Sequence, residues 1–95
     1  MNLRKFAQGK PCMIRLPGCS GLNDETVLCH WRDSSTGMGA KSPDIIGAWG
    51  CSRCHDAVDG RRVIQGMSAE TVRKEFLLAI VRTQLELVRV SAIKW

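Results

Sequence analysis

Apolar residues recur at helical spacing over one long stretch of this chain and alternate over a shorter one. Polar segments rich in glycine and proline interrupt both patterns. From position 69 to about 90, Val72, Phe76, Ile80, Leu85 and Val88 return with a helical period, and Leu77, Val81 and Leu87 widen the stripe. Ser68 is a favourable N-cap for this segment. At about 1.5 Å per residue such a helix runs roughly 33 Å, the width of a small domain. Its stripe is expected to face a core, with part available to a partner helix or a dimer.

The alternating run is Thr26-Val27-Leu28-Cys29-His30-Trp31. A strand here puts Val27, Cys29 and Trp31 on one face and Thr26, Leu28 and His30 on the other. Cys12-Met13-Ile14-Arg15-Leu16 reads as a second short strand, ended by the turn pair Pro17-Gly18. Residues 2–8 suit a short helix stopped by Gly9 and the Lys10-Pro11 step, because a residue before proline disfavours helical backbone. Residues 32–43 carry Ser, Gly, Thr and Lys without an apolar period and are expected to form a loop. Beyond it, Ile45, Ile46 and Trp49 should be buried. A short helix is expected after Cys54, running to about Val58 with Gly60 as its stop. The fold class implied is α+β.

A chain of 95 residues is one small domain with a thin core. Domains of this size often rely on a metal or on disulfides. The amino terminus lacks an apolar stretch fit for a signal peptide, and nothing approaches the roughly 18 apolar residues of a membrane span. A cytoplasmic protein without membrane attachment is the expectation, in a compartment where cysteines stay reduced and more often bind metal than each other.

The net charge is +5, with a pI near 9.3. No acidic residue precedes Asp24, whereas Arg4, Lys5, Lys10 and Arg15 do, and Arg53, Arg61 and Arg62 form a second basic cluster. A polyanion is the natural partner, with nucleic acid the commonest case. Arg4, Lys5, Lys10, Arg53, Arg61 and Arg62 are the candidate phosphate contacts. A basic surface with no such partner is the plainer alternative.

Five cysteines narrow the chemistry. Cys51-x2-Cys54 is a zinc knuckle, since two intervening residues let both sulfurs face one ion. Cys12-x6-Cys19 is looser, but Pro17-Gly18 can turn the chain to deliver both thiols. Together they make a four-thiolate site for structural Zn²⁺. The alternatives are buried small apolar residues or a disulfide at Cys12 and Cys19. Cys51-Ser52-Arg53-Cys54-His55 also matches the c-type haem attachment motif. That reading needs export and leaves Cys12 and Cys19 without a purpose. A thioredoxin-like role lacks its βαβ context.

His30 lies between the cysteine pairs and His55 directly follows the last cysteine. A lone histidine in a β-prone run is commonly a satisfied half-buried residue, and His55 could be an idle neighbour of the zinc site or a replacement ligand. The combined layout is that of zinc-stapled HNH (ββα-metal) endonucleases. The run Cys12…Cys19, Cys29-His30, Pro43-Asp44-Ile45-Ile46 and Cys51-Ser52-Arg53-Cys54-His55-Asp56 resembles a family of small prophage-encoded predicted nucleases, the YbcO-like family. It is similar also to the nuclease domain of Ref, a phage protein that cuts DNA in concert with RecA filaments. The resemblance spans most of the chain, from Leu3-Arg4-Lys5 to Arg82-Thr83-Gln84.

This resemblance implies one domain over residues 1–95: a ββα-metal finger over about 10–60 and a helix over about 69–90. It implies a DNA-directed hydrolase with a recombination filament protein such as RecA as a possible partner, and leaves the oligomeric state open. His30 would be the general base, since an imidazole accepts protons well at neutral pH. His55 would hold a catalytic Mg²⁺ or Mn²⁺. Asp44 would stand where HNH proteins carry their middle asparagine, orienting His30 or a nearby loop. Two positions depart from the pattern. Cys29 occupies the place of a hard metal ligand, and Asp44 lies far from Cys51. Either the metal is then held by His55 with Asp44 or Asp56, or the site has lost activity. Two other functions compete: a non-catalytic zinc module that binds nucleic acid or protein, and a small protein that assembles through its last helix.

Overall fold

The computed structural model describes residues 2–32 and 42–93. Its elements follow in the order α1 (Leu3–Phe6), a 3-10 turn (Asn23–Glu25), β1 (Val27–His30), β2 (Gly47–Gly50), α2 (Ser52–Val58) and α3 (Ala69–Arg89). The class is α+β, with a two-stranded sheet, one long C-terminal helix and four cysteines drawn together. Among the described residues no helix is long and apolar enough to cross a membrane.

β1 and β2 pair antiparallel, Val27 against Gly50 and His30 against Gly47. The Trp31 N–H extends the ladder to the Ile46 carbonyl at 3.0 Å. A two-stranded ribbon is marginal alone in water, so its stability must come from what covers it. Every residue of β2 is buried. On its outer edge the Trp49 N–H donates to Thr83 Oγ1 of α3 at 3.1 Å, and the Trp49 carbonyl accepts the Met13 N–H at 2.7 Å. A helix hydroxyl and a loop thus close an edge that would otherwise present unpaired backbone groups. The Trp49 ring is buried and tilts against Phe6, with centroids 6.2 Å apart.

Residues 12–16 do not form the strand that their composition suggests. Only Met13 bonds to the edge of β2, and Arg15 then takes a left-handed conformation, φ 56°. The physical reason is that this segment has to double back for Cys12 and Cys19 to meet. It still packs closely: a Cβ on Gly50 would lie 2.5 Å from Ile14 Cδ1 and 2.9 Å from Cys29 Sγ. Glycine is required there because a loop and β1 both press on β2. In β1, Leu28 and Cys29 are both buried, so the ribbon is covered on two faces and the expected alternation sorts only its ends.

α2 starts at Ser52, earlier than the sequence suggests, so that Cys51 caps it and Cys54 lies in its first turn. Gly60, at φ +82°, ends it. The Arg61 N–H returns to the Asp56 carbonyl at 2.8 Å and the Gly60 N–H to that of Ala57 at 3.2 Å, which is a Schellman closure. α3 begins as expected, with Ser68 Oγ accepting the Thr71 N–H at 3.1 Å. Its buried face is Phe76, Ala79, Ile80, Thr83 and Leu87. Leu85, expected in the core, is 66% exposed, and Leu77 and Val81 are about half exposed. Ile46, likewise expected inside, is exposed.

Candidate functional site

Two clusters of chemically able side chains draw on α2. In one, Cys12, Cys19, Cys51 and Cys54 bring their sulfurs within 4.8 Å of one another, three of the four residues being buried. Cys19 and Cys51 sulfurs are 3.6 Å apart. Four thiolates around a tetrahedral ion at about 2.3 Å would sit roughly 3.8 Å from one another, so the cluster has the size of a metal site. No pair is joined as a disulfide. The Leu16 carbonyl accepts the Cys19 N–H at 2.9 Å across Pro17-Gly18, the turn that delivers the second thiol. Glu25 braces the cluster from outside, since its Oε1 accepts from Ser20 at 2.8 Å and Ser52 at 2.9 Å. Those two hydroxyls hold the Glu25 carboxyl below the ordinary range. A hydrogen bond from Cys54 holds Cys12 down to about 4, and the same contact pushes the Cys54 thiol up. Four thiols this close cannot all ionise unaided, whereas a dication lets every one of them be a thiolate.

In the other, His30 and Asp44 meet. His30 Nε2 and Asp44 Oδ1 are 2.7 Å apart. The contact follows from the sheet register. His30 ends β1, Asp44 lies in the turn before β2, and the antiparallel pairing brings the two ends of the intervening loop together. Arg4 of α1 reaches Asp44 Oδ2 at 3.5 Å. The His30 hydrogen bond, assisted by Arg4, holds the Asp44 carboxyl below the ordinary carboxylate range. Cys29, next to His30, is 1% exposed and points into the core, where burial pushes its thiol up. It therefore offers no ligand to this cluster.

His55 faces the same groove. It pairs with Asp59, Nε2 to Oδ2 at 3.2 Å, one helical turn further on. A groove of about 440 Å³ is lined by Arg4, His30, Arg32, His55, Asp59 and Arg61, with Val27 and Leu28 beneath. A neighbouring cavity of about 280 Å³ shares His30, Arg32, Asp59 and Arg61 and continues to Val58, Arg73 and Phe76. An imidazole and a carboxylate one turn apart on an open surface could hold a hard divalent ion and leave positions for water and phosphate oxygens. The structure places Asp44 against His30 at 2.7 Å and Asp56 against Arg61 at 3.5 Å.

The basic residues divide. Arg4 and Arg61 line the groove, Arg61 holding Asp59 at 2.9 Å. Lys10 lies over the Phe6 ring at 4.3 Å, and Lys5 is exposed on α1. Arg53 and Arg62 serve the turn beside the cysteines, where Arg53 Nε donates to the Gly18 carbonyl at 2.6 Å and Arg62 Nε to that of Arg53 at 3.1 Å. The expected loop over 32–43 falls largely outside the described residues.

Three groove residues escape a reading of the sequence: Asp59, Arg32 and Arg73. Asp59 was detectable as the i+4 partner of His55, but a helix ending at Val58 hides that spacing. Arg73 carries no local signal, because only the packing of α3 brings it near His30, whereas Arg32 follows His30 by two positions along the chain.

Comparison with known proteins finds relatives over nearly the whole chain. A family model described as "Putative nuclease YbcO" matches residues 1–91. "Putative nuclease YbcO" of Escherichia coli (strain K12) is 37% identical over 95 residues, covering 98% of this chain and 97% of that one. "Putative nuclease ybcO" of Enterobacteria phage 82 matches with the same identity and coverage. A solved structure, "Structure of a putative bacteriophage protein from Escherichia coli str. K-12 substr. MG1655", superposes with a TM-score of 0.77 at 33% identity. It covers 95% of this chain and 100% of its own.

Proposed function

The chain belongs to the family described as "Putative nuclease YbcO", and from that membership we propose that it is a metal-dependent endonuclease of the HNH (ββα-metal) type acting on DNA. The single observation that carries this reading is His30, paired with Asp44 at 2.7 Å, lining one groove with His55 and Asp59. In this reading β1, β2 and α2 are the ββα-metal finger, and α3 is the support on which it rests. The four cysteines hold a structural Zn²⁺, because a closed set of four sulfurs suits a borderline-soft ion and leaves no open position.

Asp44 accepts the Nε2 proton of His30, which directs the Nδ1 lone pair to the groove. Nδ1 takes a proton from a water as its oxygen attacks phosphorus, and the bond from phosphorus to the 3′-oxygen breaks. His55 and Asp59 are the ligands for Mg²⁺ or Mn²⁺. Bound there, such an ion neutralises charge on the phosphoryl oxygens and on the leaving 3′-oxygen. Arg4 and Arg61 draw the polyanion to the groove. Lys5, Lys10, Arg53 and Arg62 add to the basic surface further out. A cytoplasmic location suits a thiolate site that depends on reduced cysteines, and a recombination filament such as that of RecA is a partner to be tested.

The test is cleavage of single-stranded, duplex and branched DNA with and without Mg²⁺ or Mn²⁺, wild type beside His30→Ala. Ion-dependent cleavage that disappears in His30→Ala is the expected result. Salt-sensitive DNA binding with no cleavage of any substrate, with or without the filament protein, would point instead to a zinc-stapled binding module.

A further inference from the structure

The groove continues past His30 toward α3, and that extension is cationic with an apolar floor. Among the described residues lining the cavity of about 280 Å³, Arg32, Arg61 and Arg73 face one acid, Asp59, which His55 and Arg61 already engage. Phe76 and Val58 lie beneath them. The residue that distinguishes this end is Arg73. Its guanidinium carbon lies 4.4 Å above the Trp31 ring, and that ring is itself tilted against Phe76 at 5.4 Å. Among the described residues no carboxylate lies within ion-pair distance of Arg73, although the helix around it carries Glu70 and Glu75.

A guanidinium seated over an indole face is attracted through that face, which leaves its N–H groups able to donate elsewhere. Among the described residues Arg73 is thus a cation with no carboxylate on it, and Trp31 directly follows His30 in sequence. We propose that Arg73 holds a second phosphate of the bound strand, next to the one at His30, so that the strand runs from Arg4 past His30 to the α3 end of the groove. The assignment rests on the nuclease reading for the position of the cut but not for the contact itself. Its consequence is a substrate class: nucleic-acid strands that continue beyond the cut on the α3 side, with isolated phosphodiesters held poorly.

The experiment measures equilibrium binding of a fluorescent single-stranded 12-mer without divalent ions, over a range of salt, by wild type, Arg73→Gln and Arg73→Lys. Loss of one phosphate contact should make the slope of log K against log salt shallower by about 0.7 in Arg73→Gln. Arg73→Lys keeps the charge and should keep the wild-type slope, with weaker affinity because an ammonium lacks the planar guanidinium fork. Circular dichroism confirms that each variant is folded. An unchanged slope in Arg73→Gln overturns the proposal, as does an equal fall in both variants, which would mean that Arg73 only packs Trp31. These outcomes leave ion-dependent cleavage by His30 standing, since no cutting enters the measurement. Salt-independent binding by the wild type would overturn the nucleic-acid reading along with this one.

Discussion

The cysteine cluster and the histidine groove are built on the same short helix, and they differ in nearly every physical respect. The cluster uses four identical donors, mostly buried, with their sulfurs within 4.8 Å of one another. The groove uses mixed donors, from nearly buried at His30 to partly exposed at His55, each already paired: His30 with Asp44, His55 with Asp59, Asp59 with Arg61. A closed set of ligands can only hold an ion. An open set whose members have alternative partners can exchange an ion, a water or a phosphate. One small domain thus keeps a closed part and an open part: α2 opens in the cluster and ends in the groove.

The largest effect should come from breaking the closed side. Chelation of the bound metal, or Cys54→Ser, should abolish cooperative unfolding, because about 5–10 kcal/mol is the whole stability of such a domain and metal binding supplies at least that much. Thermal unfolding followed by circular dichroism checks it, and a chelated protein that still melts cooperatively would remove the contrast. Next, His30→Ala should leave that unfolding transition in place while lowering DNA cleavage by about 10²- to 10⁴-fold, the usual worth of a positioned base. Parallel loss of fold and activity would make His30 part of the core.

A smaller effect separates the ligand pair from the dyad. Asp59→Asn should raise the Mg²⁺ or Mn²⁺ concentration for half-maximal cleavage by more than about tenfold, while cleavage at saturating ion is largely restored. Asp56→Asn, whose carboxylate turns away toward Arg61, should leave that concentration near wild type, and equal shifts in the two variants would count against Asp59. The smallest effect concerns acid. The folded carboxyl of Asp44 lies below its unfolded value, so its contribution to folding is complete above the ordinary carboxylate range and lost as pH falls through the folded value. Melting temperature on acidification should therefore fall more steeply for the wild type than for Asp44→Asn. Superimposable acid limbs would show that the pair contributes nothing to folding.

What could be read from the sequence was whatever depends on neighbours along the chain. Ser68 caps α3, Pro17-Gly18 turns toward Cys19, the Cys51-x2-Cys54 spacing makes a knuckle, and Gly60 stops α2. Each is decided within one turn of backbone, where propensity and covalent reach act. Tertiary structure decided the rest. Thr83 displaced Leu85 from the core because the Trp49 N–H on the edge of β2 needed an acceptor, and only a hydroxyl on that face of α3 provides one. Residues 12–16 gave up their strand because the two thiols had to converge. Asp44 reached His30 across fourteen positions only because the strands register Trp31 against Ile46. Asp59 and Arg73 entered the groove from opposite helices for the same reason. Side chains far apart in sequence become neighbours through register and packing, which depend on the whole chain at once.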